Sequence, residues 1–151
     1  MMTKVLIVDD HAVFRRGVES ILYGRPEWEV CGMAESGEQA IELINSSKPD
    51  VIVMDLTMPG MSGLEATRSI RRDHPHIRVL LLTLHNAIEY MRLGFQVGAR
   101  GYLLKSEAEG ELLRALEAVV NDEIYVSPSF DAKSAERIRS EHGRDLGKAA
   151  H

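Results

Sequence analysis

Five short segments of the chain are runs of almost unbroken apolar residues: Val5–Val8, Val30–Ala34, Val51–Met54, Val79–Leu82 and Tyr102–Leu104. A strand with one wet face alternates apolar and polar side chains. A strand that is apolar at nearly every position must be buried on both faces, as in a parallel sheet covered by helices on each side. Between these runs lie helical patterns. Phe14, Val18, Ile21 and Leu22 sit at i, i+4, i+7 and i+8, as do Leu112, Leu116, Val119 and Val120, so each set forms one apolar stripe. Shorter stripes comprise Ala40, Ile41 and Ile44; Leu64, Thr67 and Ile70; and Ile88, Met91, Phe95 and Val97. Turn-forming residues separate the elements at Gly24-Arg25-Pro26, Lys48-Pro49-Asp50, Pro59-Gly60, His74-Pro75 and Gly98–Gly101. Strand starts lie 21 to 28 residues apart, the span of a right-handed βαβ unit. The pattern predicts an α/β fold, a doubly wound five-stranded parallel sheet with helices on both faces. Ligands of such sheets bind beyond the carboxyl ends of the strands.

Composition narrows the function. The 151 residues suit one domain. No apolar run approaches the ~20 residues of a spanning helix, and the N-terminus has no apolar signal-peptide core. The expectation is a cytoplasmic chain without a membrane partner. Cys31 is the sole cysteine, which excludes an intrachain disulfide and fits a reducing compartment. Residues 1–126 hold 13 basic and 19 acidic residues, a formal charge of −6. DNA-binding domains show a basic stripe, so this body is a poor nucleic-acid binder. Residues 127–151 carry +1 and begin with the breaker Ser127-Pro128-Ser129. They read as a linker or frayed tail, with at most a short helix over Asp131–His142 in which Ala132, Ala135 and Ile138 are loosely spaced. The chain lacks a Gly-x₄-Gly-Lys-Ser/Thr loop, which argues against nucleotide hydrolysis. The scattered histidines lack zinc-ligand spacing.

The chemistry lies at the strand ends. Asp9 and Asp10 follow the first run, Asp55 the third, Thr83 the fourth and Lys105 the fifth. Taken singly, each has a bland reading; an aspartate there is often a helix N-cap. Together they place three carboxylates, a hydroxyl and an ammonium on one edge. Carboxylates so gathered must take up protons or bind a cation. Oxygen ligands without a cysteine or histidine set favour Mg²⁺. Mg²⁺ keeps open positions that a phosphate oxygen can fill, and a carboxylate beside it can act as a nucleophile toward phosphorus.

These residues resemble the receiver domain of two-component response regulators, the CheY-like family. The matching blocks are Val5-Leu6-Ile7-Val8-Asp9-Asp10-His11, Val53-Met54-Asp55-Leu56-Thr57-Met58-Pro59-Gly60-Met61-Ser62-Gly63, Leu81-Leu82-Thr83 and Gly98-Ala99-Arg100-Gly101-Tyr102-Leu103-Leu104-Lys105. Asp10-His11 and the run from Gly101 to Ser106 further resemble the NarL/FixJ subfamily, whose members usually carry a C-terminal helix-turn-helix. The resemblance implies a receiver over residues 1–126. Asp55 would accept phosphoryl from a sensor histidine kinase. Asp10, Asp55 and the backbone carbonyl of Thr57 would ligate Mg²⁺, with Asp9 acting through water. Lys105 would pair with the phosphoryl, and Thr83 and Tyr102 would form the switch. It also implies a possible homodimer, and DNA binding only through an effector domain, which residues 1–151 do not contain.

Three positions depart from the usual pattern. Ser106 follows the lysine where many receivers have a cis-proline. Leu84 follows Thr83 where a small residue is common, and is expected to narrow access. Thr57 borders the phosphoryl position. Two other readings stay open: a receiver-like module that docks partners without phosphorylation, and a haloacid-dehalogenase-like phosphatase. The latter requires a second acid two residues after the nucleophile, where this chain has Thr57.

Overall fold

The computed structural model describes residues 2–149. Six strands, β1 (Thr3–Val8), β2 (Trp28–Ala34), β3 (Val51–Asp55), β4 (Arg78–Thr83), β5 (Gly101–Leu104) and β6 (Tyr125–Val126), alternate with helices α1 (Ala12–Leu22), α2 (Gly37–Ser47), α3 (Gly63–Asp73), α4 (Ile88–Gln96), α5 (Ala108–Val120) and α6 (Ala132–Ala149). The sheet order is β2-β1-β3-β4-β5-β6, and every pairing is parallel. The reversal of direction at β1 makes the fold doubly wound, as the sequence predicts.

The all-apolar runs become strands because each face of the sheet has its own core. Leu6, Val8, Ile52, Met54, Val79, Leu81 and Tyr102 pack with Ala40, Ile44, Ala66, Ile70, Met91 and Phe95 of α2, α3 and α4. The alternate positions Val5, Ile7, Val51, Val53, Leu80, Leu82 and Leu103 pack with Val18, Leu22, Leu112, Leu116 and Val119 of α1 and α5. Successive strand side chains point to opposite faces, so a strand between two helical layers has no position to spare for a polar residue. Local signals set the helix starts. Ser36 Oγ accepts from the Gln39 amide and Ser62 Oγ from the Glu65 amide, each satisfying an orphan donor of the first turn.

Two features differ from the sequence reading. The sheet has a sixth strand, Tyr125–Val126, paired to β5. The segment expected as a linker, frayed tail or short helix contains the 18-residue α6, with Ala135 and Ile138 buried in the core that includes α4. Residues 150 and 151 of that expected tail lie outside the described residues. Among the described residues, no helix is long and apolar enough to cross a membrane.

Candidate functional site

The carboxyl ends of β1, β3, β4 and β5 converge on one cleft of about 180 Å³, lined by His11, Asp55, Thr57, Thr83, Leu84, His85 and Lys105. Lys105 follows β5 in a single 3₁₀ turn, Lys105–Glu107. Its ammonium is buried, 2.7 Å from Asp9 Oδ2 and 3.6 Å from Asp55 Oδ2, and it stands 4.0 Å over the Phe14 ring of α1. A buried cation requires such counter-charges, and an aromatic face adds to them. The other Asp9 oxygen accepts from the His11 amide at 2.9 Å. His11 Nδ1 lies 3.1 Å from Asp9 and 3.2 Å from Asp10.

Charge in the cleft is unbalanced. Three aspartates face one lysine, and Asp55 bears the consequence. Burial, then the neighbouring Asp9 charge, pushes its carboxyl up to about 6, against the pull of Lys105 and the Thr57 amide, with Asp10 adding to the rise. Asp55 Oδ2 and Asp10 Oδ1 are buried and accept no hydrogen bond. Asp9, Asp10, His11 and Asp55 each offer a ligand atom, all within 4.8 Å of one another. Hard carboxylate oxygens with unfilled lone pairs, in a cleft short of positive charge, fit a divalent cation of the Mg²⁺ type.

A ring of polar contacts surrounds the acids. Thr57 Oγ1 and His85 Nε2 are 2.6 Å apart across the mouth of the cleft. The His85 amide donates to Thr83 Oγ1 at 3.0 Å. The Tyr102 hydroxyl donates to the His85 carbonyl at 2.7 Å. Tyr102 is wholly buried, and burial raises the proton affinity of its hydroxyl. Leu84 lines the cleft but is 68% exposed; it edges the opening and does not fill it.

The loop that carries Asp55 is held tightly. Leu56 O accepts from the Gly63 amide at 2.8 Å. A Cβ on Gly63 would collide with the Asp55 carbonyl oxygen and lie 2.8 Å from Leu56 Cα, so only glycine lets the start of α3 approach this closely. The Lys105 turn is tied to the chain beyond β6. Ser127 Oγ donates to Glu107 at 2.7 Å and accepts from the Leu104 amide at 3.1 Å. The chain after Lys105 runs through Ser106 with no cis peptide bond.

The structure therefore brings Asp9, Asp10, Asp55, Thr57, Thr83 and Lys105 to one cleft, with Tyr102 beneath it. His11, His85 and Phe14 join them at the cleft. His11 and His85 carried a weak signal, lying beside Asp10 and two residues past Thr83. Phe14 carried none, since its apolar stripe explained it fully.

A family model described as "Response regulator receiver domain" matches residues 5–117. The transcriptional regulatory protein DegU of Brevibacillus brevis is 41% identical over 125 residues, covering 83% of this chain and 53% of DegU. The oxygen regulatory protein NreC of Staphylococcus haemolyticus is 37% identical over 145 residues, covering 95% of this chain and 67% of NreC. A crystal structure of a LuxR-family two-component response regulator from Aurantimonas sp. SI85-9A1 superposes with a TM-score of 0.82 at 35% identity, covering 93% of this chain and 98% of that one. The chain spans about half to two thirds of the length of these two curated relatives. Such relatives agree with the NarL/FixJ resemblance carried by Asp10-His11 and Gly101–Ser106. An acid cleft at the carboxyl edge of a doubly wound sheet, a family model over most of the chain and relatives of this kind lead to one conclusion: the chain belongs to the response regulator receiver domain family.

Proposed function

We propose that Asp55 accepts a phosphoryl group from a phosphohistidine of a sensor kinase, with Mg²⁺ in the acid cleft, and that the chain acts as a signalling switch. The observation that carries this reading is the buried, electrostatically crowded Asp55 carboxylate facing a buried lysine. Asp55 supplies the electron pair. A bond forms from its oxygen to phosphorus as the bond from phosphorus to imidazole nitrogen breaks, and the imidazole keeps that pair and takes a proton. Asp10, Asp55 and the Thr57 carbonyl would hold Mg²⁺, with Asp9 nearby; when bound, the ion offsets the charge gathering on the phosphoryl oxygens. Lys105 neutralises charge without moving, because Asp9 holds its ammonium in place. Thr83 Oγ1 accepts from the His85 amide, and its hydroxyl is the donor that would turn toward a phosphoryl oxygen.

The modification adds about −1.5 to −2 charge. A shift of Thr83 toward that charge draws on His85, and His85 is bonded to Tyr102. On this reading the protein is cytoplasmic, has a sensor histidine kinase and a second copy of itself as partners, and serves transcription regulation. DNA binding then belongs to an effector region of the longer regulators it resembles. Residues 1–126 form the receiver, and 127–131 lead out of it.

The test is intact mass after incubation with Mg²⁺ and acetyl phosphate, wild type beside Asp55→Asn. One phosphoryl group on the wild type alone is expected. Equal labelling of both chains would overturn the assignment.

A further inference from the structure

We infer that the segment Ser127–His142 is a clamp on the switch, with Phe130 as a positioning residue, so that docking of α6 and phosphorylation of Asp55 favour one another. The inference rests on the reading of Asp55 as phosphoacceptor.

The segment is anchored at both ends. At its start, Glu107 accepts from Ser127 Oγ at 2.7 Å, from Ser129 Oγ at 2.5 Å and from the Ser129 amide at 3.3 Å. The Phe130 amide donates to the Ser127 carbonyl, which turns the chain inward. The Phe130 ring then meets Tyr102 edge-on, with centroids 5.7 Å apart and planes at 71°, the favoured geometry for an aromatic pair. Beyond it, Asp131 Oδ1 accepts from the Ser134 amide at 2.7 Å and so caps α6. The helix then lies along α4. Ala135 and Ile138 are buried, and His142 stacks on Phe95 with centroids 5.8 Å apart. These three positions make one stripe. The residues between them, Glu136, Arg137, Arg139 and Glu141, are charged and exposed. A helix this polar is seated by that stripe and little else.

The seat connects to the chemistry through a short series of contacts. Phe130 covers the ring of Tyr102. The Tyr102 hydroxyl holds the His85 carbonyl, the His85 amide holds Thr83 Oγ1, and the His85 ring meets Thr57. Thr57 and Thr83 both border the cleft of Asp55. Tyr102 therefore has two supports, one from the loop over the cleft and one from the C-terminal segment. Anything that fixes one support makes the other easier to form, and coupling between two such events is reciprocal. The helix that follows the sheet is thereby both a sensor of the phosphoryl group and a contributor to its binding.

The experiment uses the full chain as wild type, Phe130→Ala, Ile138→Asp and, as a control of comparable core truncation on the opposite face, Val18→Ala. Two quantities are read: affinity for beryllofluoride with Mg²⁺, and hydrogen exchange of the His85 amide and the α6 amides with and without beryllofluoride. Wild type should gain protection in α6 on binding. Phe130→Ala and Ile138→Asp should each bind about two- to tenfold more weakly, the range one aromatic or apolar contact supplies, with faster His85 exchange. Val18→Ala should match wild type in both readouts. Wild-type affinity in both clamp variants, with α6 protection indifferent to beryllofluoride, overturns the clamp and leaves the phosphoacceptor standing. A wild-type chain that neither binds beryllofluoride nor is labelled by acetyl phosphate overturns the phosphoacceptor, and the clamp with it.

Discussion

Replacing Asp55 by asparagine should stabilise the metal-free protein. The carboxyl is pushed from an ordinary 3.8 up to about 6, so its charged form is disfavoured in the fold by about 3 kcal/mol. Asparagine keeps the shape and removes the charge. Lys105 loses its 3.6 Å partner but keeps Asp9 at 2.7 Å, so the gain should be about 2–3 kcal/mol at neutral pH. For a chain of this length that raises Tm by about 4–10 °C. The sign with pH follows from the raised value. Stability linked to protonating Asp55 is complete below about pH 4 and is lost as pH rises through about 6. The advantage of Asp55→Asn over wild type should therefore be full at about pH 7 and shrink toward pH 4. Thermal unfolding followed by circular dichroism, with a chelator present and repeated across this range, measures it. The reasoning fails if Asp55→Asn melts at or below wild type at neutral pH, or if its advantage grows on acidification.

Four further outcomes follow from the same geometry. Mg²⁺ should bind more weakly as pH falls through about 6, because the proton taken up by Asp55 must leave first; calorimetric titrations on either side of that value check it. Lys105→Met should cost about 3 kcal/mol, by leaving the charges of Asp9 and Asp55 uncompensated. Adding Asp55→Asn to that variant should restore part of the loss in urea melts. Gly63→Ala should cost about 2 kcal/mol or more, since the new methyl meets the Asp55 carbonyl oxygen, and should slow phosphoryl labelling as well as lower the urea midpoint. His85→Ala removes the 2.6 Å bond to Thr57 across the cleft mouth while keeping the backbone contacts to Thr83 and Tyr102. Labelling by acetyl phosphate should quicken about fivefold, one hydrogen bond's worth; unchanged or slower labelling would show that the bond does not lie on the route in.

The strands were legible because burial on both faces leaves no room for polar residues, and Val5–Val8, Val51–Met54 and Val79–Leu82 carry that constraint openly. The site was legible for the same reason. Asp9, Asp55, Thr83 and Lys105 stand out as polar residues placed directly after such runs. What could not be read depends on partners distant in sequence. β6 is two residues long and exists because the Tyr125 and Ser127 amides reach the Arg100 and Tyr102 carbonyls of the β5 edge. The stripe of α6 consists of Ala135, Ile138 and His142, and two of these three count little toward an apolar period. The helix is seated by Met91 and Phe95 of α4, which its own sequence does not announce. Thr57 and His85 lie 28 positions apart, and only the folded loops bring them together.

β6 also bears on how these molecules behave at high concentration. A parallel sheet ends in strands whose outer amides and carbonyls can template another chain. On the β5 side, Tyr125 and Val126 occupy that template. On the β2 side, the register with β1 shifts between Val5 and Leu6, and such an irregularity twists an edge away from flat stacking. A version of the chain cut before Tyr125 would leave the β5 edge bare and open to intermolecular sheet growth.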